Sequence, residues 1–90
     1  MNRYHIIVSG MVQGVGFRYF VYYNASSFNL TGWVRNCYDG SVEIEVQGLK
    51  EDISAFIKMI KEGNGFASID NVSFKEIKIC DSEKRFRIVG

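Results

Sequence analysis

The stretch YHIIVSGMVQGVGFRYFVYYNASSF, residues 4–28, places a strand pattern, a glycine-rich break and a helix pattern in direct succession. From Tyr4 to Ser9 strand-forming residues alternate, and apolar residues on both faces predict a strand that lies centrally in its sheet. From Phe17 to Phe28 apolar residues recur at helical spacing, which predicts a helix that ends with Asn29 in a left-handed conformation. The first third of the chain therefore predicts a strand that is followed directly by a helix.

The middle of the chain predicts a β-hairpin. Residues Thr31 to Cys37 and Ser41 to Gln47 both have strand character, and the Asp-Gly pair of the turn Tyr38-Asp39-Gly40 between them is a strong hairpin signal. In the later strand, apolar residues alternate with Glu43 and Glu45. We therefore expect one buried face, with the two glutamates in water and without a functional role.

The last third predicts a second helix and two further strands. The helix covers Lys50 to Glu62, with apolar residues at helical spacing and Gly63 as its C-terminal cap. A fourth strand covers Val72 to Ile79, and a slip in its apolar alternation predicts a bulge near Lys75-Glu76. Phe86 and Ile88 suggest a short closing strand. The order β-α-β-β-α-β predicts an α+β, ferredoxin-like split β-α-β fold, with two helices on one face of a mostly antiparallel sheet, as one domain over residues 1–90.

Composition limits the classes of function. The chain has 90 residues and a net charge of +1, which disfavours a protein that coats nucleic acid or an anionic membrane. The N-terminal residues lack the apolar core of a signal peptide, so we expect a cytoplasmic protein. Cys37 and Cys80 are isolated and there is one histidine, His5, which disfavours a zinc site. Two reduced thiols are the favoured interpretation of the cysteines, with a disulfide as the alternative, and His5 is expected to be structural.

The segment GMVQGVGFR, from Gly10 to Arg18, has the chemistry of an anion-binding loop. Glycines allow successive backbone N–H groups to converge on one anion, and a helix that begins near Phe17 adds its own free N–H groups and its positive dipole end. Arg18, in the first helical turn, can bind two phosphate oxygens at once. The spacing matches neither a nucleotide P-loop nor a dinucleotide site. A glycine-rich turn with a solvated arginine is the alternative for this loop taken alone.

A second segment, Gly32-Trp33-Val34-Arg35-Asn36, ends beside the hairpin turn. The amide of Asn36 offers a donor and an acceptor without charge. Such a side chain either satisfies itself with backbone or bulk water, or holds one particular water molecule in place.

The two segments together resemble the two signature sequences of the acylphosphatase family. The first matches as Gly10-x-Val12-Gln13-Gly14-Val15-x-Phe17-Arg18, and the second as Gly32 to Asn36 followed by Gly40, Val42 and Gly48. The resemblance covers essentially the whole chain, because length and element order also agree. The stretch GNGFASID, from Gly63 to Asp70, departs from it, since it lacks the proline-containing turn common in the family.

This resemblance implies hydrolysis of acyl phosphates to a carboxylate and inorganic phosphate, without a metal or cofactor. It implies that Arg18 binds the phosphate and that Asn36 orients the attacking water. The backbone N–H groups that would complete the phosphate site belong to Gly14, Val15, Gly16, Phe17 and Arg18. The expected partners are a small acyl phosphate and, as competitors, phosphate or other anions. Neither nucleic acid nor a membrane is expected as a partner, and we expect a monomer.

Two other functions remain as alternatives. QGVGFRYF is superficially similar to the glycine-aromatic motif of RNA-recognition domains, but there the motif lies on the third strand, which is acidic here. In a non-catalytic regulatory domain of the same fold, Arg18 and Asn36 would be dispensable.

Overall fold

The computed structural model describes all 90 residues, which form a five-stranded sheet and two helices. The strands are β1 (Asn2–Met11), β2 (Thr31–Asn36), β3 (Val42–Gly48), β4 (Ser68–Ile77) and β5 (Phe86–Ile88), and the helices are α1 (Phe17–Ser27) and α2 (Lys50–Glu62). Both helices pack on the sheet, in the order β-α-β-β-α-β with β5 as the closing strand. The predicted fold class is confirmed.

The strands are arranged in the order β4-β1-β3-β2-β5. All neighbouring pairs are antiparallel except β2 and β5, which run parallel, so the sheet is mixed. β1 lies between β4 and β3, which confirms its predicted interior place. Gly32 allows close approach of β2 to β3, because a Cβ at this position would lie 1.8 Å from the carbonyl oxygen of Glu45.

The core fills the space between the helices and one face of the sheet. Alternate residues of the inner strands are fully buried, and each helix contributes its predicted apolar stripe. The buried stripe residues are Phe17, Val21 and Ala25 in α1 and Ile53, Phe56, Ile57 and Ile60 in α2. Burying each large apolar side chain contributes about 1.5–3 kcal/mol, so this layer is the main source of stability.

The two helix ends follow the sequence prediction. α2 has the predicted bounds, and Gly63 ends it at φ 77° with its N–H donating to the carbonyl oxygens of Met59 and Ile60. Asn29 lies past the end of α1 at φ 58°, in the predicted left-handed conformation. Neither helix has the length and apolar character that a membrane crossing requires.

The predicted bulge in the fourth strand was wrong in position. Lys75 and Glu76 pair regularly with β1, whereas the register shifts where Ser9 pairs with Asn71 and Gly10 with Ile69. The apolar slip has another cause. Val72 and Phe74 lie opposite Val8 and Ile6 on the helix-covered side, while Ile77 lies opposite Arg3 on the other face. β4 is an edge strand with mostly exposed residues, so its sequence need not keep one alternation.

The loop after β1 is shorter than predicted. Gly10 does not begin a loop but lies within β1, at the register shift opposite β4. The backbone leaves the sheet only after Met11, and Val12 is buried in the core. The glycine-rich segment that is free to bind a ligand therefore begins after Val12.

The face of the sheet without helices is a layer of ion pairs. The His5 ring and the Arg35 guanidinium each donate to Glu43 at 2.6 Å, and Arg3 donates to Glu45 at 2.9 Å. The side chains of Glu43 and Glu45 are only 16% and 23% exposed. The expectation that these glutamates lie in water was therefore wrong, because long side chains from neighbouring strands cover them.

Candidate active site

The loop between β1 and α1 has the backbone geometry of an anion site. Gly14 and Gly16 both adopt φ 76°, with Val15 between them. Left-handed residues that alternate with ordinary ones turn successive N–H groups toward one side, which is the backbone conformation expected of a loop that binds an anion through the N–H groups of Gly14 to Arg18 (the cradle). A Cβ at Gly14 or Gly16 would meet nothing within 4 Å. These glycines therefore serve the backbone conformation and not close packing.

The N-terminus of α1 carries positive charge that the protein leaves uncompensated. Gly16 caps the helix without a side-chain hydrogen bond, and the first turn contains no acidic residue. Helix geometry leaves the N–H groups of Phe17 and Arg18 without an intrahelical acceptor. α2 differs, because Glu51 and Asp52 occupy its first turn. An anion at the start of α1 would therefore be bound by free donors and by the helix dipole.

Arg18 adds a side-chain charge to these backbone donors. It lies in the first turn of α1, is partly exposed, and takes part in none of the ion pairs of the protein. Arg3 and Arg35, by contrast, are both paired with glutamates. The guanidinium of Arg18 is thus available to bind two oxygens of one anion.

Asn36 ends β2 and has a polar atom that the protein leaves unsatisfied. Its Oδ1 is buried and has no hydrogen-bond partner within the protein. A buried acceptor without a donor costs about 1–3 kcal/mol, so this position is suited to bind a water molecule or a substrate group. Of the two interpretations of Asn36 drawn from the sequence, self-satisfaction by the backbone does not apply to Oδ1.

Gln13 connects the cradle to the end of β2. Its Nε2 donates to the carbonyl oxygens of Cys37 at 2.8 Å and Ser41 at 2.9 Å. Cys37 and Ser41 close the hairpin turn, since the Cys37 N–H donates to the Ser41 carbonyl oxygen at 2.9 Å. Because Cys37 directly follows Asn36, Gln13 holds the cradle loop beside Asn36. No role for Gln13 was predicted, since its partners are backbone atoms distant in the chain.

The hairpin turn beside Asn36 is fixed by Asp39. Its carboxylate accepts hydrogen bonds from the Ser41 hydroxyl at 2.6 Å and the Ser41 N–H at 2.9 Å, and these bonds lower the pKa of Asp39. An open cleft of about 560 Å³ is lined by residues 35–39. The turn thus gives Asn36 a rigid support next to open space.

The remaining predicted cradle residues contribute their backbone. The Phe17 side chain is 1% exposed and packs on Phe20 at 5.7 Å between ring centroids, so only its backbone is available to a ligand. The Val15 side chain packs against the core. Its carbonyl oxygen accepts a hydrogen bond at 3.0 Å from Nδ2 of Asn64, a residue that the sequence did not single out. Cys37 and Cys80 are free thiols.

Comparison with known proteins assigns the family. The acylphosphatase family model matches residues 4–88. An acylphosphatase of Clostridium beijerinckii is 49% identical over 88 residues, covering 98% of each chain, and one of Bacillus licheniformis is also 49% identical with the same coverage. The crystal structure of acylphosphatase from Bacillus subtilis superimposes with a TM-score of 0.95 at 42% identity, covering 100% of both chains. The chain belongs to the acylphosphatase family.

Proposed function

We propose that this protein hydrolyses acyl phosphates to a carboxylate and inorganic phosphate. The observation that carries the proposal is the buried, unpartnered Oδ1 of Asn36 beside a cradle of free N–H groups. One element can bind a phosphoryl group and the other can hold the water that attacks it. The curated relatives are named acylphosphatases, which supports the same activity.

In the proposed mechanism, the cradle and Arg18 bind the phosphoryl oxygens. The backbone N–H groups at the start of α1 are fixed before substrate arrives, and the Arg18 guanidinium spans two oxygens. Preorganised donors of this kind stabilise the charge that develops on the phosphoryl oxygens in the transition state. Removing one such donor typically costs about 10²–10³ in rate.

The second proposed element is the water bound by Asn36. Its Oδ1 accepts one hydrogen bond from the water and leaves an oxygen lone pair directed at phosphorus. The water oxygen forms a bond to phosphorus, and the bond between phosphorus and the carboxylate oxygen breaks. The carboxylate leaves with the electron pair and needs no general acid, while the water proton passes to a phosphoryl oxygen. Positioning and charge stabilisation then supply most of the catalysis.

RNA binding is the less favoured function. The glycine-aromatic segment forms the end of the β1–α1 connection and the first turn of α1 and not a strand, so its aromatic residues do not form a stacking platform on the sheet. The open face of β3 carries the ion-paired Glu43 and Glu45, where an RNA-recognition domain would present aromatic residues for stacking.

The test is hydrolysis of benzoyl phosphate, a small acyl phosphate, in the presence of EDTA. We expect the wild type to be active, and Arg18→Ala and Asn36→Ala each to lose at least ~10²-fold in kcat/KM. Arg85→Ala is the matched control, because Arg85 is an exposed arginine outside the cradle. It should retain wild-type activity.

Three outcomes would contradict the proposal in different ways. Wild-type activity in Arg18→Ala would refute the assigned phosphate site. Activity that disappears with EDTA and returns with added metal would refute the metal-free mechanism. Salt-sensitive binding of single-stranded RNA by a wild type that hydrolyses no acyl phosphate would favour the RNA-binding alternative.

A further inference from the structure

We propose that Asn64 is a positioning residue that sets the orientation of the peptide between Val15 and Gly16 and so the affinity of the cradle for phosphate. This inference rests on the proposed function of the cradle. Asn64 lies in the connection between α2 and β4, far from both signature segments in the sequence.

The amide of Asn64 uses both of its ends. Nδ2 donates to the Val15 carbonyl oxygen at 3.0 Å, while Oδ1 accepts from the N–H groups of Phe66 at 3.0 Å and Ala67 at 2.8 Å. These three bonds fix the orientation of the Asn64 amide. In a flipped side chain the NH₂ group would face the N–H donors of Phe66 and Ala67, and the amide oxygen would face the Val15 carbonyl oxygen. The Asn64 side chain therefore both stabilises its own turn and forms a hydrogen bond to the cradle loop.

The hydrogen bond to the Val15 carbonyl oxygen determines where the N–H group of the next residue, Gly16, points. In a trans peptide the C=O of one residue and the N–H of the following residue lie in one plane and point in opposite directions. Holding the Val15 oxygen toward Asn64 therefore turns the Gly16 N–H away from Asn64. Gly16 is one of the proposed phosphate-binding residues, so this bond orients a donor that the ligand would contact.

The peptide between Val15 and Gly16 needs such an external restraint because a glycine beside it restricts its rotation only weakly. Rotation of this peptide changes ψ of Val15 and φ of Gly16, and Gly16, at φ 76° and without a Cβ, adopts either sign of φ with little steric resistance. A flipped peptide would present a carbonyl oxygen to an anion, which is repulsive. The bond from Asn64 disfavours that alternative conformation before the ligand binds.

The segments on both sides of Asn64 are anchored in the fold. Gly63 ends α2 directly before it, and Ala67 and Ile69 pack against the core after it. β4 then begins at Ser68, which pairs with Met11 at the end of β1. The two loops that meet at the bond between Asn64 and Val15 are therefore joined by strand pairing close by, so the bond acts on a fixed geometry.

The test measures phosphate binding by Asn64→Ser. A serine can keep a turn of this type through its shorter hydroxyl, but it cannot reach the Val15 carbonyl. Asn71→Ser is the matched control, because Asn71 is exposed on β4. We expect Asn64→Ser to raise the Kd for inorganic phosphate by about five- to tenfold, the usual worth of one hydrogen bond, and to raise the KM for benzoyl phosphate similarly. Asn71→Ser should leave both unchanged.

Two further measurements separate positioning from a loss of folding. In NMR spectra, phosphate should shift the Gly16 amide proton in the wild type and shift it less in Asn64→Ser. Asn64→Asp can still accept both hydrogen bonds in the turn, but it places a carboxylate oxygen beside the Val15 carbonyl oxygen and cannot donate to it. It should remain folded and bind phosphate more weakly than the wild type, even if Asn64→Ser unfolds.

The outcomes distinguish this inference from the proposed function. Phosphate affinity equal to wild type in folded Asn64→Ser or Asn64→Asp would overturn the role of Asn64 and leave the function intact. An equal loss in Asn71→Ser would also overturn it. A wild type that neither binds phosphate nor hydrolyses benzoyl phosphate would overturn the proposed function and this inference with it.

Discussion

Arg3 at the start of β1 and Arg18 in the first turn of α1 have opposite environments. Arg3, at the start of the strand, is 4% exposed and donates to Glu45 at 2.9 Å, to Gln47 at 3.2 Å and to Glu83 at 2.7 Å. Arg18, beyond the other end of the strand, is partly exposed and pairs with no acidic side chain. The comparison teaches that saturated donors hold this fold together, whereas unsaturated donors mark the site where a ligand can bind.

The Arg3 cluster (Arg3, Glu45, Gln47 and Glu83) fastens the chain before β5 to the sheet. Gln47 adds to this by accepting from the Cys80 N–H at 2.7 Å and donating to the Cys80 carbonyl at 2.9 Å. Burial alone would lower the pKa of Arg3, but the hydrogen bonds and charges of Glu83 and Glu45 outweigh burial and raise it. The cation is therefore held firmly, and no donor is left for an exogenous anion.

The largest expected effect on stability comes from Arg3→Ala. Removing one partner of a buried ion cluster leaves Glu45 and Glu83 without compensation, which typically costs about 3–5 kcal/mol. Because Arg3 is remote from the cradle, kcat/KM for benzoyl phosphate should stay near wild type at temperatures where the variant is folded. Urea unfolding and kinetics on the same samples measure both quantities.

Arg3→Lys and Arg18→Ala are the controls for this comparison. Arg3→Lys keeps the charge but loses the planar fork, so its stability should fall between those of Arg3→Ala and the wild type. Arg18→Ala should lose activity with little change in the free energy of unfolding. The comparison fails if Arg18→Ala is as unstable as Arg3→Ala, since Arg18 would then also hold the fold together.

A smaller effect is expected for Gln13→Ala, which separates the cradle from the hairpin. The carbonyls of Cys37 and Ser41 each accept a second backbone bond, so neither loses every partner and the cost in stability is about 1 kcal/mol. Activity should fall more than stability, by about tenfold, because a small displacement of Asn36 from the cradle misaligns water and phosphate. Kinetics with benzoyl phosphate measure this loss.

Gln13→Glu is the isosteric control for that variant. It has nearly the same shape but presents acceptors to the two carbonyl oxygens, so it should lose at least as much activity as Gln13→Ala. Activity equal to wild type in both variants would show that Gln13 does not align the two halves of the site.

Local patterns in the sequence predicted most of the fold. The apolar spacing of α2 and the alternation of β3 predicted buried faces, because each element packs one face against the core. Gly63 and Asn29 were predictable because few other residues adopt left-handed backbone angles without strain. The bulge was misplaced, since β4 is an edge strand whose apolar pattern reports less reliably on its pairing.

The sequence pointed to Arg18 and Asn36 as candidate site residues because both lie within the two signature segments. The contacts of Gln13 and Asn64 join backbone atoms 24, 28 and 49 residues away, and no local periodicity reports on such partners. The pairing of Glu43 and Glu45 also depends on strand register, which places the basic side chains beside them.

The smallest expected effect concerns Glu43 on β3, which lies opposite Ile7 of β1 and forms ion pairs with His5 and Arg35. Hydrogen bonds from His5 and then Arg35 lower the pKa of Glu43, against the opposing effect of burial. A carboxylate with a lowered pKa in the folded state stabilises the protein above its ordinary pKa, and this contribution is lost as the pH falls from that ordinary pKa toward the lowered one. Glu43→Gln should therefore be less stable than the wild type at pH 7, and the difference should shrink in acid.

Urea unfolding at several pH values measures this difference in stability, with Glu62→Gln as the control because Glu62 is exposed. The same pH dependence in both variants would show that the ion pairs of Glu43 add nothing, and that only the more deeply buried cluster around Arg3 stabilises the open face of the sheet.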